Sequence, residues 1–274
     1  MTLVFHDLER VEQRCLGSLE FVDATTGARI RRSLRLRGVV VAEDARFVRN
    51  PSDLYVLHEW APLRTHHAQF LQPPPAQAAA SLALALIVDD PAGEFLSRSI
   101  TMRLPRDPDP ANRASAGSLF NPQRVELMRS AAAPLGANWS RIDVRIATQN
   151  DDAALGGALL EVRDAADRLL ARGLSDWRGE ALVPVAGVPV TTWSQDEGDP
   201  VSTETPARLR VFFVPGQGSV TPRAAVLAGL PPARLPQPDP DTLAGHPDAV
   251  ATAPLDLLLV ARRSQALAIV LTLP

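Results

Sequence analysis

Hydrophobic and polar residues alternate with a period of two along much of this 274-residue chain. Between residues 28 and 41, isoleucine and leucine alternate with arginine, and between residues 139 and 146, isoleucine and valine alternate with polar residues. A period of two is typical of a β-strand with one buried face. The chain also holds 25 prolines and 16 glycines, which interrupt helices, so the pattern predicts short strands joined by turns.

Aspartate followed by glycine marks the turns that join these strands. Three segments end a strand in Asp and continue to Gly: VDATTG at 22–27, VDDPAG at 88–93 and VRDAADRLLARGLSDWRG at 162–179. Aspartate accepts hydrogen bonds from the backbone that follows it, and glycine adopts a positive φ at little cost. The residues predicted to define turns are Asp23, Gly27, Asp90, Gly93, Gly173, Asp176 and Gly179.

Three longer stretches predict groups of neighbouring strands. Residues 82–104 contain a strand, an Asp-Asp-Pro-Ala-Gly turn and a second strand, which is a hairpin signal. Residues 158–185 predict three strands in a meander, and residues 255–273 predict a hairpin that turns at 262–265. The alternative for the last stretch is one apolar helix, which would place two arginines in mid-span with no polar face.

These strands predict an all-β fold of two antiparallel β-sandwich domains, Ig-like or transthyretin-like, with an extended Pro-rich C-terminal segment. Residues 105–117 are rich in proline and small polar residues and predict a linker. The predicted domains are therefore 1–107 and 118–216, followed by a tail, 217–274, that ends in the hairpin. Because the hairpin strands are strongly apolar, we expect them to pack on a sandwich or on another subunit.

Charge and composition narrow the classes of partner and compartment. All 28 basic residues are arginine, and a net charge of −3 with mixed signs argues against nucleic acid as a partner. Cys15 is the single cysteine, so no intrachain disulfide is possible, and we interpret it as a small buried apolar residue. No apolar run reaches the length of a membrane helix, and the first residues lack a signal-peptide pattern. We expect a protein that is cytoplasmic when made and does not insert into membranes.

Histidines form the densest group of potential metal ligands. His58 and Glu59 are followed by His66 and His67. A helical zinc-peptidase motif needs two histidines one turn apart, whereas His58 and His66 are eight residues apart with Pro62 between them. A loop metal site is an alternative to the simpler interpretation, which is an exposed loop after a strand.

Other candidate chemistry is weaker. The GQGS segment at 216–219 lacks a third glycine and is followed by Pro222, so it does not fit a nucleotide-binding loop. No Gly-x-Ser-x-Gly segment is present. The Asp-Asp pairs at 89–90 and 151–152 could bind calcium, but turn capping explains them with fewer assumptions. We therefore predict no catalytic, cofactor or metal site and a protein that is not an enzyme.

Aromatic and C-terminal apolar residues are the candidates for an interface. Trp139 is predicted in the core, whereas Trp177 is placed in a turn, where an exposed aromatic ring could anchor a partner or stack on a sugar. The predicted interface residues are Trp177, Trp193, Leu257, Leu258, Leu259, Ile269 and Leu271.

Residues 161–185, EVRDAADRLLARGLSDWRGEALVPV, resemble the strand–turn–strand pattern of carboxypeptidase-regulatory-like, transthyretin-like β-sandwiches. That pattern has the form V-x-D-x-x-G-x-x-L-A-x-G-x-T-D-x-x-G. Gly173, Asp176 and Gly179 match it, whereas Arg168 stands where the first glycine is usual. The resemblance implies a fold and says almost nothing about function.

A second resemblance concerns the order of segments. VDATTG, LYVLHEWAPLR and VDDPAGEFLSRSITMRLP, followed by a regulatory-like sandwich and a Pro-rich tail, are similar in order to accessory proteins of phage-tail-like contractile injection systems. This resemblance implies a non-enzymatic structural or adaptor component at the cap, sheath end or baseplate, with sheath, tube, cap or baseplate subunits as partners. The alternatives are a carbohydrate- or protein-binding module that uses Trp177 and Trp193, and an accessory domain of an enzyme.

Overall fold

The computed structural model describes residues 14–39, 45–64, 78–189 and 204–274. Strands dominate, and most strand pairs are antiparallel, which confirms the predicted all-β class. The strands in the first half are β1 (Gly17–Asp23), β2 (Arg35–Gly38), β3 (Ala45–Arg49), β4 (Tyr55–Trp60), β5 (Leu82–Asp89), β6 (Arg98–Leu104) and β7 (Gln123–Leu127).

Ten further strands follow in the second half of the chain. They are β8 (Ser140–Thr148), β9 (Ala154–Gly156), β10 (Leu159–Asp164), β11 (Leu169–Leu174), β12 (Glu180–Val185), β13 (Thr205–Phe213), β14 (Ser219–Thr221), β15 (Val250–Ala251), β16 (Leu255–Leu259) and β17 (Ser264–Leu271). Helix is confined, in the part of the chain that the structure describes, to α1 (Arg223–Leu227), α2 (Pro240–Leu243) and two 3₁₀ turns, Ala61–Leu63 and Pro110–Asn112.

The described strands form four sheets. Two of them have the orders β3-β4-β1-β7 and β2-β5-β6, so the predicted hairpin at 82–104 is present as β5 and β6. The other two have the orders β11-β10-β13-β15 and β12-β8-β9-β14, and β16 is added to the former on β13 and β17 to the latter on β8.

The chain divides into two compact units that interleave along the sequence. The first takes the described parts of residues 1–20, 38–85 and 101–124, and the second takes those of 21–37, 86–100 and 125–274. The domains predicted from the sequence, 1–107 and 118–216, each consist instead of one continuous segment. That division stays a prediction of which segments fold independently.

Hydrogen bonds fix the loops of the first unit. The turn between β3 and β4 is closed by Asn50, whose Oδ1 accepts a bond of 2.9 Å from the backbone N–H of Leu54. In the 105–117 segment, where a linker was expected, the buried guanidinium of Arg106 donates to the carbonyl oxygens of Ala116 (2.8 Å) and Asn121 (2.6 Å). This segment is therefore a hydrogen-bonded loop of the first unit.

One apolar core lies between the two five-stranded sheets of the second unit. Alternate residues of β8 and β13 point into it, as the period of two requires. Its fully buried members include Ile142, Ile146, Leu155, Leu160, Val162, Val183, Leu209, Val211, Phe213 and Leu259. Both sheets contribute to this list, so each sheet covers the apolar face of the other.

The meander predicted at 158–185 is wrong, because its third strand lies in the other sheet. β10 pairs antiparallel with β11, whereas β12 pairs antiparallel with β8. The chain crosses between sheets at 175–179, where Gly179 has φ +74° and an added Cβ would clash with the carbonyl oxygen of Ile146. A strand–turn–strand pattern sets the length of the turn but not the sheet that the next strand joins.

The C-terminal hairpin is also wrong, because β16 and β17 do not pair with each other. β16 pairs antiparallel with β13, and β17 pairs parallel with β8 over its whole length. Arg262, with φ 64°, lies in the connection between them. Each strand adds one apolar face to the shared core, so residues 255–271 are part of the folded body and not a separate tail.

We expect Leu259→Ala to lower the free energy of unfolding by about 2–5 kcal/mol, because Leu259 is fully buried in the shared core. The matched control is Leu258→Ala in the same strand, where the side chain is 51% exposed and the expected change is within about 0.5 kcal/mol. Chemical denaturation measures both. Equal, small effects would contradict the placement of β16 in the core.

Candidate functional site

Three turn aspartates hold their turns by accepting backbone hydrogen bonds. Asp23 Oδ1 accepts a bond of 2.9 Å from Thr25 N, and Gly27 closes this turn with φ 68°. Asp90 accepts from the N–H groups of three following residues at 3.0–3.1 Å, and Gly93 has φ 71°. Asp176 Oδ1 accepts from Arg178 N at 2.8 Å. These carboxylates therefore shape the chain locally, in the way the sequence suggests.

Gly173 differs from the other glycines of this set. It lies within β11 rather than in a turn, so its assignment as a turn residue is corrected here. An added Cβ at this position would lie 2.8 Å from Val183 Cγ2 and 2.9 Å from the carbonyl oxygen of Leu182. The glycine is needed for close approach of the crossing chain, since no side chain fits there.

The departure at Arg168 has a local explanation. In the turn between β10 and β11, the positive φ of 61° belongs to Asp167, so no glycine is needed at the next position. Asp164 Oδ1 accepts a hydrogen bond of 2.9 Å from the backbone N–H of Arg168, and this bond holds the pKa of the Asp164 carboxyl below its usual value.

Arginine side chains recruit the same turn carboxylates into an ion-pair network in the second unit. Arg129 donates to Asp23 Oδ2 at 2.6 Å and to Glu94 Oε1 at 2.9 Å. Arg32 pairs with Glu94 as well and lies 3.5 Å from the fully buried Asp90 carboxylate. The turns that begin at Asp23 and Asp90 are 67 residues apart in the sequence. Shared guanidinium groups thus connect these two turns.

Aromatic rings cover the guanidinium of Arg129 in this network. The Cζ atom of Arg129 lies 5.7 Å from the centre of the Phe95 ring and 5.1 Å from that of the Trp139 ring. Both distances are in the range of a cation–π contact. Trp139 is half-buried in this arrangement. The prediction that it belongs to the core is therefore corrected, because its ring packs on a charged side chain at the border of the core.

A fully buried guanidinium, Arg98, forms a second charged network. It is 0% exposed and donates to the carbonyl oxygen of Glu126 at 2.9 Å, to Asp239 Oδ1 at 3.0 Å and to Asp241 Oδ2 at 2.5 Å. Ser99 joins the same contact by donating to the carbonyl oxygen of Gln237 at 2.9 Å. Arg98 therefore fixes the start of β6 to the loop that leads into α2.

The network continues across the outer face of β10 and β11. The nearly buried Glu161 accepts from Arg163 at 2.9 Å and from Arg172 at 3.1 Å. Arg172 also lies 3.8 Å from Asp241, which connects this group to Arg98. Nothing in the sequence pattern paired these residues; their only signal is that charged residues occupy positions in otherwise apolar strands.

Burial raises the pKa of the Asp239 carboxyl, and the guanidinium of Arg98 acts in the opposite direction. The neighbouring Asp241 carboxylate also raises that pKa. Because Asp239 accepts a hydrogen bond from Arg98, the cation compensates much of the cost of placing a carboxylate in this position.

A groove of about 760 Å³ opens where β13 and β16 meet the start of β17. Its polar groups are Glu204, Arg208, Asp256, Arg263, Ser264 and Gln265. Arg208 and Asp256 lie 3.8 Å apart. The groove therefore offers a ligand positively charged donors, negatively charged acceptors and neutral polar side chains.

The predicted interface residues fall into different environments. Trp177 is half-buried at the crossing between sheets, with its ring centre 5.7 Å from the guanidinium carbon of Arg178. Trp193 lies outside the described residues. Leu258 is exposed, and Ile269 is half-buried against the core.

Three of the predicted interface leucines are not available to a partner. Leu257, Leu259 and Leu271 are buried in the shared core of the chain itself. Their assignment as interface residues is therefore corrected. A strongly apolar strand signals burial, but the sequence does not say whether its own sheets or a second protein will cover it.

The candidate ligand groups have local partners. His58 Nδ1 lies 3.1 Å from the carbonyl oxygen of Arg14, whereas His66 and His67 lie outside the described residues. In the part of the chain that the structure describes, no group of three His, Cys, Asp or Glu side chains is arranged to hold a metal ion.

The remaining candidate segments also form turns and ion pairs. Asp89 accepts from Ser97 Oγ at 2.5 Å, and Asp152 pairs with Arg145 at 3.0 Å and Arg223 at 2.5 Å. In the GQGS segment, Gly218 N donates to the carbonyl oxygen of Val214 at 3.0 Å, so the segment forms a tight turn after β13.

Comparison with known proteins assigns no family. The chain matches no protein-family model and no curated protein. Among the described residues, none forms a helix with both the length and the apolar character that a membrane span requires. What the protein does is therefore inferred from its own residues and geometry.

We expect Arg98→Met to lower the free energy of unfolding by about 3–5 kcal/mol at pH 7, because it leaves the Asp239 carboxylate without its cation. Loss of the guanidinium raises the pKa of Asp239 further, so the folded state binds a proton more tightly than the unfolded chain. The deficit should therefore shrink as pH falls from 7 to 4. Denaturation at both pH values measures it.

The matched control is Arg208→Met, which removes a half-exposed guanidinium that lies 3.8 Å from Asp256. A surface pair of this kind contributes about 0–1 kcal/mol. If the two variants lose equal stability, or if the deficit of Arg98→Met grows at low pH, the role assigned to Arg98 is wrong.

Burial raises the pKa of the Cys15 thiol in the first unit, against a smaller opposing effect of its hydrogen bond to the carbonyl oxygen of Gly17. A raised pKa lowers the thiolate fraction at pH 8, and the thiolate is the reactive form. We expect alkylation of the folded protein to be slower than that of the urea-unfolded chain and to accelerate with pH. Equal rates in the two states would contradict this environment.

Proposed function

We propose that the protein is a non-enzymatic structural or adaptor component of a phage-tail-like contractile injection particle, located at its cap, sheath end or baseplate. The proposed architecture is two β-sandwich domains. The shared core between two sheets supports a sandwich in the second unit. The resemblance in the order of segments supports the assignment to an injection particle.

The observation that supports a structural role is that charged side chains of the second unit form ion pairs with each other. Arg98, Arg129 and Glu161 are held by partners in the same unit. Charged groups arranged in this way fix turns and loops to the sheets and are not free to act on a substrate. Such a design suits a protein whose role depends on shape and contact.

An exposed segment with three leucines provides a proposed surface for contact with other subunits. α1 and the residues that follow it expose Leu227, Leu230 and Leu235, the first of them to 76%. The loop is fixed at its start by the ion pair of Arg223 with Asp152. We infer that these leucines form a contact with other subunits, since exposed apolar patches mark protein–protein interaction sites.

The proposal is tested by density-gradient sedimentation of assembled injection particles with the tagged chain. We expect the chain to sediment in the particle fraction with sheath and tube subunits. The triple variant Leu227→Ser, Leu230→Ser, Leu235→Ser should stay near the top of the gradient, since it loses the exposed apolar side chains of the proposed contact.

Val48→Ser is the matched control, because this side chain is also exposed (55%) but lies in the first unit. It should sediment with the particle as the unaltered chain does. If the unaltered chain itself remains at the top of the gradient beside intact particles, the proposed role is wrong.

The second candidate function is a carbohydrate- or protein-binding module. The half-buried Trp177 favours it, since an indole ring can stack on a sugar. Glycan-array binding that Trp177→Ala abolishes would support this candidate over the particle component.

A further inference from the structure

One edge of β17 has no strand beside it among the described residues. β17 pairs with β8, in parallel, over Ser264–Leu271. Arg141 N donates to the carbonyl oxygen of Arg263 at 2.9 Å, and Gln149 N donates to that of Leu271 at 3.0 Å. Odd-numbered positions of β17 therefore face β8, and the backbone N–H and C=O groups of even-numbered positions point away from it.

β17 lacks the features that usually protect a sheet edge. Residues 264–271 contain no charged residue and no proline. Ala266, Ala268 and Val270 are exposed, whereas Leu267 and Ile269 are half-buried against the core. Natural proteins protect exposed edges with charges, prolines or bulges, and a long uncharged edge is a template for another strand.

We infer that the free edge of β17 pairs with β17 of a second copy of this chain, antiparallel and centred on Ala268. A two-fold axis at Ala268 places Ala266 of one copy opposite Val270 of the other. Both are even-numbered positions, so the outward-pointing N–H and C=O groups of the two copies meet directly. In this register, core-facing side chains also remain on the core side of both copies.

The side chains favour this partner over an unrelated strand. At the two-fold axis, Ala268 lies opposite Ala268 of the second copy, so no bulky or charged side chain blocks the approach of the two strands. Arg262 and Arg263 of the two copies lie at opposite ends of the paired strands, which keeps like charges apart. The edge is thus complementary to itself, and this inference does not rest on the proposed particle role.

Cysteine cross-linking in a Cys15→Ser background tests both the partner and the register. In an antiparallel pair centred on residue 268, the two Cα atoms of that residue are about 5.5 Å apart, which a disulfide can span. We expect Ala268→Cys to form a covalent dimer under mild oxidation. Ala266→Cys is the matched control, since its two copies are separated by about 14 Å at about 3.4 Å per residue and should not cross-link.

Sedimentation equilibrium of the full chain provides the second measurement. Ala268→Arg places two like charges opposite each other and should weaken the dimer at least about tenfold. Val48→Arg adds the same charge to an exposed apolar side chain elsewhere and should leave dimerisation unchanged. Circular dichroism of each variant verifies that it is folded.

Three results would overturn the inference. The first is a chain that is monomeric up to about 100 μM. The second is equal cross-linking of Ala266→Cys and Ala268→Cys in a dimer. The third is a monomer that binds a different protein through β17, which would assign this edge to another partner.

Discussion

The second unit depends on the burial of two sheet faces against each other. Each sheet has one apolar face, and neither face could remain in water at the cost of about 1.5–3 kcal/mol for each large aliphatic side chain. β13 and β8 lie inside these sheets, and β16 and β17 extend the sheets beside them. Because the last two strands join different sheets, residues 255–271 hold both layers to one core.

Arginine provides the second level of organisation. The chain has arginine at all 28 basic positions, and a planar guanidinium with five donors can bind carboxylates and carbonyls at the same time. Arg98 and Arg129 use this capacity to connect turns that are distant in sequence. Turn aspartates therefore have two roles, since they shape the local backbone and accept these guanidinium groups.

The sequence predicts local structure well and pairing poorly. The period of two located β8, and Asp-to-Gly spacing located the turns at Asp23 and Asp90, because both signals depend only on neighbouring residues. The sheet to which β12, β16 and β17 belong depends on contacts with strands far away in the chain, which periodicity does not encode. Apolar strands at 255–271 were therefore expected to form a hairpin and an interface.

The charged networks could not be predicted for the same reason. Arg98 and Asp239 are 141 residues apart, and no spacing rule relates them. A buried arginine is recognisable in sequence only as a charge in an apolar strand. Arg98 is the first residue of β6, and an arginine at the end of a strand is equally consistent with an exposed position. Local motifs thus identified the turn aspartates but not the arginines that connect the turns.

Amide hydrogen exchange across β16 and β17, followed by NMR on the folded protein, tests the central claim most directly. Strands that belong to a core exchange slowly, at rates that approach global unfolding. Integration of both strands into separate sheets predicts slow exchange at Gln265, Leu267 and Ile269, whose N–H groups face β8, and protection in β16 where it pairs with β13. Exchange throughout 255–271 at the rate of an unfolded peptide, while β8 and β13 remain protected, would contradict it.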